Sequence, residues 1–161
     1  MKIPVFISCP SSLNERQKEY DKKINQLLEE FGFERRALGL SDYPTEYPLK
    51  EVYDLAKRCA GGIILGFEQT YIERGIKKRG TSDEKALEGI SLPTPWNHLE
   101  AGILYSLQMP LLIIREKKIE GGIFDYGTSA YFVHDFESDF NLKQVFMKWA
   151  GKVSEKYYSK T

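Results

Sequence analysis

Hydrophobic residues in this chain follow two alternating patterns. Short continuous apolar runs, such as residues 62–67, are typical of strands buried in a parallel sheet. Between these runs, apolar residues recur every three or four positions, which is the spacing of one helix face. The pattern predicts about five strands, at residues 5–9, 33–40, 62–67, 111–114 and 131–136, and helices that end near residues 30, 60, 107 and 158.

Polar residues mark the beginnings and ends of these helices. Ser12 and Glu15 have the spacing of a capping box, which predicts that the first helix begins there and that Gly32 follows its end. Thr94 is suited to cap the third helix, with Pro95 at the first helical position. Residues 41–48 are rich in turn formers and predict a loop.

The alternation of strands and helices predicts one α/β domain over residues 1–161. The expected architecture is a flavodoxin-like three-layer sandwich, with about five mostly parallel strands covered by helices on both faces. Ligands of such sheets bind beyond the carboxyl ends of the strands. A functional site is therefore expected at that edge.

Residues 68–92 interrupt the alternation, because they carry many charges and no pattern that would form a core. Residues 68–77 have the composition of one or two helical turns. A connection of this length inside a compact domain is usually functional or an insertion. We expect an insertion or lid, and both a substrate gate and a plain solvated loop agree with the sequence.

Composition and charge exclude several classes of protein. Twenty-three basic residues balance twenty-three acidic ones, which argues against a dedicated nucleic-acid binder. No apolar run approaches the roughly 20 residues that span a bilayer, and the first residues lack the features of a signal peptide. Cys9 and Cys59 have neither metal-site spacing nor the number of a disulfide framework. We therefore expect a cytoplasmic protein with no membrane partner and no metal.

The residues that follow the first predicted strand are candidates for ligand binding. They are Cys9, Pro10, Ser11 and Ser12, and residues 39–42 take the same place after the second strand. Ser11 and Ser12, at the start of a helix, have amides that can bind a phosphate, although simple helix capping is the commoner role of such serines. Cys9 is either a nucleophile or a small buried packing residue.

Glu100 is the acidic residue that most needs an explanation. The third helix has apolar residues at Trp96, Leu99, Ile103 and Leu107, and Glu100 follows Trp96 by one turn, so its carboxylate is expected to point toward the apolar side. Burying a carboxylate is costly unless a partner or a function compensates. A fixed carboxylate can hold ribose hydroxyls and stabilise an oxocarbenium-like transition state during cleavage of a glycosidic bond.

A second group of candidates lies between the last two predicted strands, in residues 121–127. Two glycines there permit close approach of the backbone, and Asp125 and Tyr126 carry polar groups that can reach a ligand. A tight structural turn explains the same residues. His98 and His134 do not have the spacing of metal ligands.

The run from Trp96 to Gly102, together with Phe6-Ile7-Ser8 in the first strand, resembles bacterial Toll/interleukin-1 receptor (TIR) domains. The resemblance implies that Glu100 is catalytic, with Trp96 beside it, and that NAD is cleaved at its nicotinamide–ribose bond. NAD is then the substrate and no cofactor is required. The product would be ADP-ribose, a cyclic isomer or a transferred adduct. Bacterial antiviral defence and control by self-association or by an effector or sensor partner are further implications.

Two other functions agree with the same residues. The nucleoside 2-deoxyribosyltransferases also carry a glutamate on a helix, followed by a glycine and a short apolar strand; there the glutamate attacks C1′ of a deoxynucleoside. The third possibility is not an enzyme: it is a TIR-like interaction module, or a sensor that binds a nucleotide without cleaving it. The chain also departs from typical TIR domains, because residues 9–12 replace an Asp-rich loop and residues 68–92 are additional.

Overall fold

The computed structural model describes residues 2–38, 47–127, 132–137 and 141–159. The α/β class is confirmed. The strands are β1 (Ile3–Ser8), β2 (Phe33–Arg36), β3 (Gly62–Gly66), β4 (Thr70–Lys77), β5 (Lys85–Leu92), β6 (Leu111–Arg115) and β7 (Phe132–Asp135). The helices are α1 (Glu15–Glu30), α2 (Pro48–Lys57), α3 (Pro95–Ser106) and α4 (Leu142–Tyr158), with a 3-10 turn at Gly122–Phe124.

Five of the strands form a parallel sheet in the order β2-β1-β3-β6-β7. The chain runs from β1 to β2 at one edge and then returns past β1 to β3, so the direction of winding reverses between β1 and β3. Crevices that bind ligands form at such reversals, beyond the carboxyl ends of the strands. Residues 39–46, which include most of the predicted loop and the end of the predicted second strand, lie outside the described residues. The last two residues of that loop prediction belong to a helix instead, because Tyr47 is the N-cap of α2 and Pro48 is its first residue.

Helices cover both faces of the sheet, which completes the flavodoxin-like three-layer sandwich. Residues of α1 and α4 pack on one face and residues of α2 and α3 pack on the other. Trp149 of α4 is fully buried, and its indole Nε1 donates a hydrogen bond to the Pro110 carbonyl oxygen at 3.0 Å. None of the described helices has the length and apolar character needed to cross a bilayer.

The predicted start of the first helix is wrong by two positions. Asn14 caps α1: its Oδ1 accepts from the Gln17 amide at 2.9 Å, and the Gln17 Oε1 accepts from the Asn14 amide at 3.1 Å. This reciprocal pair is a capping box, with Gln17 in the place that glutamate was expected to take. Ser12 therefore lies ahead of the cap. The end of α1 agrees with the sequence, because Gly32 has a φ of +73° just beyond it.

Residues 68–77 do not form the predicted helical turns. Instead, β4 and β5 pair as an antiparallel hairpin that is separate from the main sheet. Most side chains of this hairpin are exposed, and no residue of β4 belongs to either hydrophobic core cluster. Backbone hydrogen bonds pair the two strands, although neither strand has a buried apolar face. For this reason the pattern of apolar residues did not predict strands here.

The third helix has the predicted bounds but buries a different face. Its buried residues are Asn97, Ala101 and Leu104, whereas Trp96 and Leu99 are 42% and 48% exposed. The predicted stripe through Trp96 and Leu99 is therefore wrong. A close approach to β3 fixes this rotation: a Cβ added to Gly62 would lie only 2.6 Å from Leu104 Cδ1.

Candidate functional site

A cleft of about 270 Å³ lies beyond the carboxyl ends of β1 and β3, where the direction of winding reverses. We call it the Glu100 cleft. It is bounded by the end of β1 and the residues after it, by the cap and the first two turns of α3, and by Leu38 after β2, Pro48 at the start of α2 and Gln69 after β3. Its lining residues are Ser8, Cys9, Pro10, Ser11, Leu38, Pro48, Gln69, Thr94, Trp96 and Glu100.

Glu100 reaches this cleft from the second turn of α3. Burial raises the pKa of its carboxyl group from 4.5 to about 7, and an interaction with the Ser8 side chain partly opposes this rise. Near neutral pH the group is therefore divided between its ionised and protonated forms. Carboxyl groups with this property are characteristic of sites that move protons or stabilise developing positive charge.

Two buried polar residues beneath the cleft were not candidates from the sequence. Ser8 and Asn97 are almost fully buried, and Asn97 Nδ2 donates a hydrogen bond to Ser8 Oγ at 2.7 Å. Asn97 is one turn before Glu100, so both residues face the end of β1. In the sequence, Asn97 shares a helix face with Ala101 and Leu104. A polar residue on that face indicates a site only when the face is known to be the buried one.

Trp96 forms part of the lip of the cleft. Thr94 caps α3 as predicted, with its Oγ1 accepting from the Trp96 amide at 3.3 Å. The Trp96 indole is 42% exposed and lines the cleft, so an aromatic surface lies one turn from the carboxyl group. A ligand that enters the cleft can therefore contact both side chains.

The segment after β1 supplies one wall of the cleft, from Cys9, Pro10 and Ser11. Burial, reinforced by the charge of Asp21, raises the pKa of the Cys9 thiol to about 12. Cys9 consequently stays a thiol at neutral pH, which favours packing over a nucleophilic role. Ser12 is not among the lining residues; its carbonyl oxygen accepts from Gln69 Nε2 at 3.2 Å.

Gln69 is a further lining residue that the sequence did not single out. It lies between β3 and β4, and its Nε2 donates both to the Ser12 carbonyl oxygen and, at 3.0 Å, to the Glu68 carbonyl oxygen. The Glu68 carboxylate in turn accepts from the Ser91 hydroxyl of β5. The base of the hairpin is thus connected to the wall of the cleft.

No protein-family model matches this chain, and a comparison with curated proteins gives no significant match. The likeness of residues 96–102 to TIR domains therefore stays an interpretation of that motif. What the molecule itself provides is the cleft and its chemistry.

Asp125 and Tyr126 are not among the residues that line the Glu100 cleft. Asp125 Oδ1 accepts from the Gly121 amide at 2.9 Å, and the Tyr126 ring packs over the Arg115 guanidinium at 5.1 Å from its centroid. His98 belongs to the same region, because its ring packs edge-on against Phe124. Within the described part of the chain, no group of three or more His, Cys, Asp or Glu side chains is arranged to hold a metal ion.

Proposed function

We propose that this protein cleaves the N-glycosidic bond between nicotinamide and ribose in NAD, with Glu100 as the catalytic carboxylate. The observation that carries the proposal is the Glu100 carboxyl group itself, which is buried in a cleft at the carboxyl edge of the sheet beside an exposed indole. The resemblance of residues 96–102 to TIR domains supports the same reaction. The expected acceptor is water, a nucleophilic group of the same substrate, or a second molecule, which gives ADP-ribose, a cyclic isomer or a transferred adduct respectively.

The chemistry requires a negative charge near the anomeric carbon. When the bond from C1′ to the nicotinamide nitrogen breaks, its electron pair leaves with the ring, which becomes neutral nicotinamide, and positive charge develops on the ribose. The ionised Glu100 carboxylate stabilises this charge and accepts hydrogen bonds from ribose hydroxyls. Attack by water at C1′ then gives ADP-ribose and releases one proton. Trp96 offers the leaving ring an aromatic surface.

The volume of the cleft favours one second candidate. At about 270 Å³ it lies at the lower end of ligand pockets and holds a nucleoside-sized group, so the adenosine part of NAD would lie outside it. A nucleoside 2-deoxyribosyltransferase needs no more than this space. In that reaction Glu100 would attack C1′ directly, expel the base and form a covalent glycosyl ester.

The test is nicotinamide release from NAD by the wild type and by Glu100→Gln. Gln keeps the size of the side chain and removes its charge, so release is expected to fall by a factor of roughly 10³ or more. Glu29→Gln is the matched control, since Glu29 is exposed on α1 outside the cleft. Measurements over a range of protein concentrations allow for activity that depends on assembly, as the TIR resemblance implies.

Product analysis by mass spectrometry separates the alternatives. Nicotinamide release by the wild type and Glu29→Gln, but not by Glu100→Gln, supports the proposal and identifies ADP-ribose, a cyclic isomer or a transferred product. Base exchange on deoxynucleosides, with a glycosyl group trapped on Glu100 and no action on NAD, supports the second candidate. Full turnover by Glu100→Gln contradicts both.

A further inference from the structure

We propose that Ser8 and Asn97 are positioning residues for Glu100, with the Asn97 amide orienting the Ser8 hydroxyl so that its hydrogen is directed to the Glu100 carboxylate. Their effect on catalysis rests on the proposed function, whereas their effect on the carboxylate itself does not. The three side chains come from the end of β1 and from the first two turns of α3.

The direction of the hydrogen bonds supports this role. Asn97 Nδ2 donates to Ser8 Oγ at 2.7 Å, so the Ser8 oxygen acts as an acceptor toward Asn97. A serine hydroxyl has a single hydrogen, and this hydrogen remains available for another acceptor. Ser8 and Glu100 line the same cleft, so the free hydrogen of Ser8 and the Glu100 carboxylate share one space. The interaction of Ser8 with Glu100 lowers the pKa of Glu100, which is the effect of a hydroxyl that donates to a carboxylate.

The orientation of the Asn97 amide leaves the Ser8 hydrogen available to Glu100, but it leaves the oxygen of the amide itself without a partner. Its Oδ1 is buried and has no hydrogen-bond partner among the described residues. Rotating the amide by half a turn would let Oδ1 accept the Ser8 hydrogen, but the Glu100 carboxylate would then lose it. Buried polar groups are normally paired, so the unpaired Oδ1 is the cost of the orientation in which the Asn97 amide donates to Ser8.

Among the described residues, few titratable groups lie close enough to Glu100 to change the pKa of its carboxyl group. On the β1 side, the titratable group in the cleft is Cys9, whose raised pKa keeps it uncharged at neutral pH. On α3, the His98 ring is turned to Phe124, and α2 and the hairpin base contribute Pro48 and Gln69 to the cleft, neither of which titrates. Among the described residues that line the cleft, Ser8 is the one whose side chain interacts with the Glu100 carboxyl group.

The experiment is a titration of the Glu100 carboxyl group by ¹³C NMR in protein labelled at glutamate side chains, with the signal assigned by its loss in Glu100→Gln. Ser8→Ala is expected to move the midpoint upward by about one pH unit, the size of a charge-assisted hydrogen bond. Asn97→Leu, which keeps the branched shape but cannot donate, is expected to move it in the same direction. Ser106→Ala is the matched control, because Ser106 is exposed at the far end of α3 and its Oγ donates to the Ile103 carbonyl oxygen.

The pH profile of kcat/KM for nicotinamide release is the second readout. In Ser8→Ala its acidic limb is expected to move upward with the NMR midpoint, which costs roughly tenfold in activity at pH 6, where the carboxyl group is mostly protonated in both proteins. An unchanged midpoint in a folded Ser8→Ala, checked by its amide spectrum, overturns the proposal. A shifted midpoint in a protein that does not cleave NAD upholds the positioning role and contradicts the proposed function instead.

Discussion

At the scale of single residues, the Glu100 cleft is built at a cost to stability. Leaving the buried Asn97 Oδ1 without a partner costs about 1–3 kcal/mol, and burying the Glu100 carboxyl group adds to this. The sequence singled out Glu100 because a carboxylate one turn after Trp96 is expected to point toward the apolar side of α3, and the resemblance to TIR domains added Trp96. It did not predict Ser8 and Asn97, because serine at a strand end and asparagine in a helix are common and gain meaning only when the facing element is known.

The pKa of Glu100 leads to a prediction about stability. Its folded-state pKa of about 7 is above the ordinary value of 4.5, so the folded protein holds the proton more tightly than the unfolded chain does. Below pH 4.5 the group is neutral in both states and costs nothing; the free energy of unfolding then falls as the pH rises toward 7 and stays lower above it. Glu100→Gln is therefore expected to stabilise the protein by roughly 2–3 kcal/mol at pH 8.

Urea denaturation of the wild type and Glu100→Gln at pH 4 and pH 8 measures this difference. The two proteins should have nearly equal free energies of unfolding at pH 4 and differ at pH 8. Equal stabilities at both pH values would mean that the carboxyl group is well solvated, contrary to its position in the cleft.

At the scale of elements, α3 decides the geometry of the site. Its bounds could be predicted, since Thr94 and Pro95 are strong start signals, but its rotation could not. Hydrophobic residues were assigned to the core, yet Trp96 and Leu99 are exposed while Asn97 is buried. The proposed role of the Glu100 cleft accounts for Trp96 and Asn97, because a side chain that meets a ligand stays exposed and a polar group that supports the site is buried.

The contact between Gly62 and Leu104 leads to a prediction about this element. Gly62→Ala places a methyl group within 2.6 Å of Leu104 Cδ1, which forces the side chain or α3 to move. We expect a loss of about 1–3 kcal/mol in the free energy of unfolding, the usual cost of overpacking a core.

Gly102→Ala is the control for that experiment, because a Cβ at Gly102 meets nothing within 4 Å and alanine favours the helix. It is expected to leave the protein as stable or to stabilise it by up to about 1 kcal/mol. Thermal unfolding followed by circular dichroism compares both variants. A Gly62→Ala protein with the wild-type melting temperature would show that α3 is not held close to β3.

At the scale of the whole molecule, the parallel sheet and the meeting of strand ends could be predicted from the sequence, because the strands are apolar runs and the topology follows from their alternation with helices. The hairpin could not. Its strands pair with each other and bury few side chains, so the hydrophobic periodicity does not indicate them. Thr70 pairs with Leu92, and no short sequence pattern predicts a pairing between residues so far apart.

Removal of the hairpin is expected to leave the sheet intact. Thr70 and Leu92 are paired neighbours, so a two-residue Asn-Gly turn in place of residues 71–91 can join them. The main losses are the hydrogen bond from the Ser91 hydroxyl to Glu68, about 1 kcal/mol, and the parallel bridge between Ser91 and Ile119. A single urea transition with a slightly lower midpoint is the expected result; a protein without cooperative unfolding would show that the hairpin is part of the folding unit.

The exposed position of Trp96 gives the molecule its own optical reporter. The chain has two tryptophans, and their surroundings are opposite: Trp149 is fully enclosed in the core, whereas Trp96 stands half in water at the lip of the cleft. Indole emission shifts to longer wavelength in water, so the red edge of the fluorescence spectrum belongs to Trp96 and the blue edge to Trp149. Occupation of the cleft and loss of the fold can thus be followed in one cuvette, at two wavelengths, without a label.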